Sequence, residues 1–185
     1  LIESLISQRK EKNILKGWLV TKKKVIFENE FESKLKRGVN ILADSVKTTM
    51  GPKGKLVLIQ RGENHPTITK DGVTVATAIN LIDDMENMGA KVIKEAAAKT
   101  ADAAGDGTTS STVLAQSLFI EGLKMKSAGF QVDLIKEGID KAVISIKDFL
   151  NNSKKNIEND EELSQVAAIS ANGEIDIAKL IVDAI

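Results

Sequence analysis

The 185-residue chain has no cysteine and no tyrosine, one histidine, one tryptophan and two prolines. Without cysteine there is no disulfide, no thiolate zinc site and no cysteine nucleophile. A single histidine leaves little for a transition-metal site, although a hard cation bound by oxygen stays open. Aromatic residues are only 3% of the chain, which removes the stacking platform that single-stranded nucleic acid needs. No apolar run approaches the ~20 residues that cross a bilayer. Arginine is scarce as well: Arg9, Arg37 and Arg61 are the only ones. Bidentate guanidinium clamps therefore have little part in any anion chemistry here. These deficits argue against nucleic-acid and membrane partners.

What is present fits a globular protein, with 42% apolar and 28% charged residues. The length suits one domain, or one domain and part of a second. The net charge of zero hides an asymmetry. Residues 1–25 carry seven Lys or Arg against two Asp or Glu, and the remainder is mildly acidic. Residues 1–24 read as a leader or extension. Their charges do not precede an apolar core with a small-residue cleavage site, as in a signal peptide, and Glu3, Glu11 and a lone Arg9 match a transit peptide poorly. A flexible leader, a targeting remnant and a functional arm remain open for this stretch.

Beyond the leader, Val25–Phe31 opens with a short strand-like run, and Asn29 is a candidate cap for a helix over Glu30–Thr48. Phe31, Leu35, Val39, Leu42 and Val46 fall on one helical stripe. Gly51-Pro52-Lys53-Gly54 ends it. Leu56–Ile59 and Thr67–Thr69 are short strand candidates about a turn at Arg61–Asn64, together a hairpin. Asp71 or Thr74 caps a helix to about Leu81. Further helices are expected over Met85–Ala103, Thr108–Ser127 with a left-handed stop at Ala128-Gly129, and Val132–Leu150. Asn151–Asp160 reads as a linker, followed by short helices at Glu161–Ala168 and Ile175–Ile185. The last pattern is still apolar at Ile185, which suggests truncation. Met50, Met85, Met88 and Met125 sit at or near apolar stripes and read as core, and His65 as solvated.

Three glycine turns carry the chemical interest. In Ala104-Gly105-Asp106-Gly107-Thr108-Thr109-Ser110-Ser111, two glycines flank an aspartate and open onto a helix. Glycine lets backbone approach a ligand closely, and a helix start offers unpaired N–H groups and the positive end of its dipole. Such a terminus suits phosphate. Asp106 beside a phosphate would be repelled unless a cation such as Mg²⁺ lay between them. The plain alternative is that Asp and Thr are N-cap residues. Thr49-Met50-Gly51-Pro52-Lys53-Gly54 and Lys70-Asp71-Gly72 are the other two turns. Neither is a Walker motif, and each alone reads as an ordinary turn or cap. Together the three are candidates to line one nucleotide pocket.

At these loops the chain closely resembles the N-terminal part of group I chaperonins, the GroEL class of bacteria and organelles. The likeness runs from about Lys23 to Ile185 through RGVNILADSVKTTMGPKGK, TITKDGVTVATAI, MENMGAKVIKEAAAKTADAAGDGTTSSTVLAQSL and VAAISANGEIDIAKLIVDAI. AGDGTT with TMGPKG and KDG upstream is highly specific. The resemblance implies a mainly α fold with a small β-hairpin. Residues 25–152 would form the N-terminal half of an equatorial ATP-binding domain, and 153–185 the start of an intermediate domain. It implies ATP, Mg²⁺ and K⁺ as ligands. Thr49, Met50, Gly51 and Pro52 would pass over the phosphates, and Lys70 and Thr49 would offer carbonyls to K⁺. Asp71, next to Gly72, would lie near the γ-phosphate and the attacking water as an auxiliary catalytic group. Asp106 would bind Mg²⁺; Gly107, Thr108, Thr109 and Ser110 would cradle phosphates; Ile169 and Ser170 would approach the nucleoside.

The resemblance further implies a ring homo-oligomer that folds client proteins in a bacterial-type cytoplasm, or alternatively in a mitochondrial matrix or plastid. Some positions depart from the family pattern. Ser110 replaces a usual Thr, and Lys55-Leu56 a usual Arg-Asn. The chain corresponds to about a third of a family subunit. The apical domain that holds clients and co-chaperonin, the principal catalytic Asp and the adenine wall are expected to be missing. The isolated chain is thus expected not to turn over ATP appreciably, and the apolar surface that the missing half would cover is expected to be exposed or covered by another copy. The rival reading is a nucleotide-binding or structural fragment without folding activity.

Overall fold

The computed structural model describes residues 28–60, 65–171 and 173–185. The leader, the strand-like start at Val25, the Arg61–Asn64 turn and Asn172 lie outside the described residues. The chain divides into two units, residues 1–33 and 34–185. Of the first, only the opening turns of helix α1 are described.

The elements are α1 (Glu28–Lys47), β1 (Val57–Ile59), β2 (Thr67–Thr69), α2 (Gly72–Ala78), α3 (Asp84–Ala104), α4 (Thr108–Ser127), α5 (Val132–Ser153), α6 (Asp160–Ser170) and α7 (Ile175–Ala184). The fold is mainly helical with one small sheet. β1 and β2 pair antiparallel in the register Val57 to Thr69, Leu58 to Ile68 and Ile59 to Thr67.

The α1 stripe behaves as its spacing predicts. Val39, Leu42 and Val46 are fully buried and meet Ile59 of β1, Val75 and Ala76 of α2, and Ala90 and Ile93 of α3 in one core. Mid-helix glycines let α1 and α3 touch backbone to backbone. A Cβ on Gly38 would lie 1.8 Å from the Glu86 carbonyl oxygen, and one on Gly89 would lie 2.2 Å from that of Leu35. Only hydrogen fits at either place. The contact is tied at one end by Lys34 Nζ, 2.5 Å from Asp83 Oδ2. Asp83 also caps α3, accepting from the Met85 and Glu86 amides. The lysine hydrogen bond first, and then the Glu86 amide, hold the Asp83 carboxyl at about 2, below its ordinary 3.8.

Several boundaries differ from the sequence reading. α1 starts at Glu28, so Asn29 lies inside the helix rather than capping it. α2 stops at Ala78 instead of Leu81, because Ile79 takes extended backbone angles. The Asn87 side chain then accepts from the Leu81 amide, and this holds the connection to α3. α5 runs through Asn151-Asn152-Ser153, which shortens the linker to residues 154–159. Asn159 caps α6 through the Glu162 amide. Met50, Met88 and Met125 are all close to half exposed and are not core residues. The Gly129 stop is in the left-handed region at φ 92°, as expected. His65 is exposed, also as expected.

Candidate functional site

The three glycine turns meet at the N-terminus of α4. α3 ends at Gly105 with φ 70°, and α4 begins after Gly107 with φ 82°. Two left-handed residues either side of Asp106 make a sharp reversal that a residue with a Cβ would strain. Gly107 has no side chain with which to cap α4. Ser111 is the first residue whose amide reaches back into the helix, 2.9 Å from the Gly107 carbonyl. The amides of Thr108, Thr109 and Ser110 come before it, at the open positive end of the helix.

The first turn is held by its own hydroxyls. Thr112 Oγ1 and Ser111 Oγ donate to the Thr108 carbonyl at 2.8 and 2.9 Å. The Thr109 hydroxyl lies 3.3 Å from that of Thr49, which itself donates to the Val46 carbonyl at 2.8 Å. That contact links the α4 start to the turn after α1. There Thr49 is buried and Gly51 takes φ 74°. Gly54 N–H donates to the Gly51 carbonyl and Lys55 N–H to the Thr48 carbonyl, at 2.9 and 2.8 Å. A Cβ on Gly54 would stand 2.2 Å from the Thr49 carbonyl oxygen.

The third turn is wedged in from the other side. Gly72 is buried, and a Cβ on it would be 2.5 Å from Thr109 Oγ1 and 3.0 Å from Thr108 Oγ1. The bare α-carbon lets the Lys70-Asp71 backbone press against the α4 start. Asp71 caps α2: its Oδ2 accepts from the Thr74 amide at 2.7 Å and the Thr74 hydroxyl at 2.5 Å, and Oδ1 from the Val73 amide at 3.4 Å. Asp106 Oδ1 accepts from the Gly107 amide at 2.6 Å.

Around this junction is a pocket of about 460 Å³. It is lined by Thr49, Met50, Gly51, Lys70, Asp71, Gly72, Gly105, Asp106, Gly107, Thr108, Thr109, Ser110, Ile169 and Ser170. Of the residues singled out in the sequence, Pro52 alone falls outside the lining. Gly105, the first glycine of the same turn as Asp106, lines it as well, although no ligand role was expected of it. The ionisable lining groups are Lys70, Asp71 and Asp106. The pocket therefore combines helix-start amides and hydroxyls with a net excess of carboxylate. A polyanion is compatible with that mixture when a cation enters beside it. Among the described residues no cluster of three or more His, Cys, Asp or Glu could hold a metal without further ligands. The donor set is oxygen only, which suits a hard cation completed by ligand oxygens and water.

A second cavity, of about 770 Å³, lies between α4 and α5. It is almost wholly apolar, with Leu114, Leu118, Met125, Phe130, Leu134 and Ile139 among its lining residues.

Comparison with known proteins bears on both regions. Residues 42–185 match the model of the TCP-1/cpn60 chaperonin family. The chain is similar to two crystal forms of the chaperonin gp146 from the bacteriophage EL 2 (Pseudomonas aeruginosa), determined in the presence of ATP-BeFx. In each the TM-score is 0.69 at 32% identity, over 83% of this chain and 27% of that one. The chain thus spans little more than a quarter of the length of the chaperonin it matches. The family match takes in all three glycine turns, both strands and every helix from α2 onward. On that extent of agreement, the chain belongs to the TCP-1/cpn60 chaperonin family.

Proposed function

We propose that the pocket at the start of α4 binds ATP with Mg²⁺ and K⁺, and that the chain serves as the nucleotide-binding portion of a chaperonin subunit. The observation that carries this reading is the convergence of three separate glycine turns on one pocket. Each turn alone is ordinary, and two of them are brought together by a glycine against which no side chain fits. The similar phage chaperonin was crystallised in the presence of ATP-BeFx, which supports the choice of ligand. Membership of the group I subtype, ring assembly with further subunits, and action on unfolded clients belong to the same proposal.

The roles follow from chemistry. The amides and hydroxyls of Thr108, Thr109 and Ser110 hydrogen-bond phosphate oxygens at the positive end of α4. The Thr49–Gly51 backbone covers the phosphates from the opposite side. Asp106 is the carboxylate for Mg²⁺. Thr49 and Lys70, which line the same pocket, supply carbonyls for K⁺. Mg²⁺ there would neutralise phosphate charge as it develops. Asp71 keeps an orientation fixed by Thr74, suited to orienting a water rather than to serving as the sole base. Ile169 and Ser170 flank the nucleoside.

Calorimetric titration of the 185-residue chain with MgATP in potassium buffer tests the reading. One site is expected. Asp106→Ala should weaken MgATP binding by roughly 10–100-fold, since even outer-shell partners of a metal are worth that much. Absence of binding to the unaltered chain, or equal MgATP affinity in the variant and the parent, contradicts the proposal.

A further inference from the structure

The buried residues of α4 are all polar. Thr108, Thr112 and Gln116 recur every fourth residue and are its buried residues, whereas Leu114, Leu118 and Met125 are exposed. The apolar contacts of this side with the core, made by Ala115 and Phe119, are only partly buried, so polar contacts share in setting the height of α4. Thr112 spends its hydroxyl within its own helix, on the Thr108 carbonyl. Gln116 does not. Its Nε2 donates to Asn40 Oδ1 at 2.9 Å and to Asp44 Oδ1 at 3.1 Å.

Asn40 and Asp44 lie one turn apart on α1, so they face the same way. One NH₂ group bonded to both fixes α4 along the α1 axis and in rotation about its own. The consequence is felt at the pocket. α1 leads within a few residues to the Thr49–Gly51 turn, and Gln116 lies about 12 Å along α4 from Thr108 at 1.5 Å per residue. A second side-chain link between these two stretches is the Thr49–Thr109 hydroxyl contact, at 3.3 Å. That contact is longer than an ordinary O–H···O hydrogen bond and is the weaker of the two links.

We propose that Gln116 is a positioning residue for the candidate nucleotide site. Through Asn40 and Asp44 it sets the gap between the Thr49–Gly51 turn and the Gly107–Ser110 start of α4. Its role for a nucleotide rests on the reading of the pocket given above. The positional effect on the pocket does not, and the two separate in the test.

Gln116→Glu turns the double donor into an acceptor facing the Asp44 carboxylate and the Asn40 oxygen, so the tie becomes a repulsion. Adding Asp44→Asn restores it with polarity reversed, because the amide introduced at position 44 and a flipped Asn40 amide both donate to the new carboxylate. Asp44→Asn alone keeps an acceptor for Gln116 and is the control. Amide NMR shifts of residues 49–51 and 107–110, melting temperature and MgATP affinity are measured for all four proteins.

The expected result is displaced pocket amides and on the order of 10-fold weaker MgATP binding in Gln116→Glu, since small misplacements in such sites are costly. Both should return toward the parent values in the double variant. If Gln116→Glu does not fold, Gln116→Leu removes the donor without adding charge, and the same amides should move without rescue by Asp44→Asn. Two results overturn the proposal: a lowered melting temperature with unmoved pocket amides, or a double variant as displaced as Gln116→Glu. If the parent binds no MgATP, the nucleotide reading fails, and the amide shifts still decide the role of Gln116.

Discussion

The start of α4 and its flank toward α5 are built from opposite materials. At the start, hydroxyls, open amides and two aspartates surround a pocket closed by glycines, and Thr108 and Thr112 are buried beside bonded hydroxyls. Along the flank, Leu114, Leu118 and Met125 face a groove whose other wall, α5, buries none of its residues. Polar groups leave water only where partners replace it. No buried side-chain polar atom lacks a partner among the described residues. Apolar groups gain from cover at roughly 25 cal/mol per Å², and on this flank they have little. The buried polar groups of the first region find their partners within the chain, and the second has the character of a contact surface. The two lie on one helix, so its polar start can find its partners within the chain while the adjoining face does not.

The sharpest way to break that contrast is through the glycines. Gly38→Ala, at 1.8 Å from backbone oxygen, should destabilise the fold by about 3 kcal/mol or more, and Gly72→Ala, at 2.5 Å from a hydroxyl, by ~1–3 kcal/mol. Urea denaturation measures both. Gly72→Ala should also move the Thr108 and Thr109 amides, and Gly38→Ala should leave them in place in whatever fraction stays folded. Equal stability for Gly38→Ala and the parent would refute the close α1–α3 contact.

The groove should answer differently. Leu118→Lys places charge on an exposed apolar face. It should lower binding of an apolar dye and any self-association, while stability changes by no more than ~0.5 kcal/mol. A large loss of stability would mean that the flank is already part of the core.

Acid gives the smallest and most local effect. The Asp83 carboxyl is held at about 2 instead of 3.8. A depressed carboxyl contributes stability above its unfolded value, and the contribution is lost as pH falls through the folded one. The tie between Lys34 and Asp83 should therefore persist above about pH 4 and fade toward pH 2. Asp83→Asn should flatten that part of the stability profile, measured by denaturation at a series of pH values. An unchanged acid slope would show that the tie contributes nothing to it.

Much of the frame was legible because it follows from spacing. The α1 stripe, the two short strands and the glycine turns each announce themselves locally. Less visible were features that depend on a neighbour. Gly38 and Gly89 look like weak points in helices until the opposing carbonyl is seen. The buried residues of α4 are polar, so Thr112 and Gln116 gave no apolar signal. On α5, Ile135, Ile139, Val143 and Ile146 fall at helical spacing, yet Val143 and Ile146 are about half exposed; periodicity says that a face is apolar, not that something covers it. The pocket members followed from the motifs and their family resemblance, with Gly105 and Pro52 the exceptions.

The central claim is that three turns distant in sequence form one phosphate and cation site. Amide NMR of the 185-residue chain during titration with MgATP tests it most directly. The account predicts that Gly51, Gly72 and Gly107 through Ser110 shift together along one binding curve, and that groove residues such as Leu118 stay still. Shifts confined to one of the turns, or separate curves for each, would contradict it.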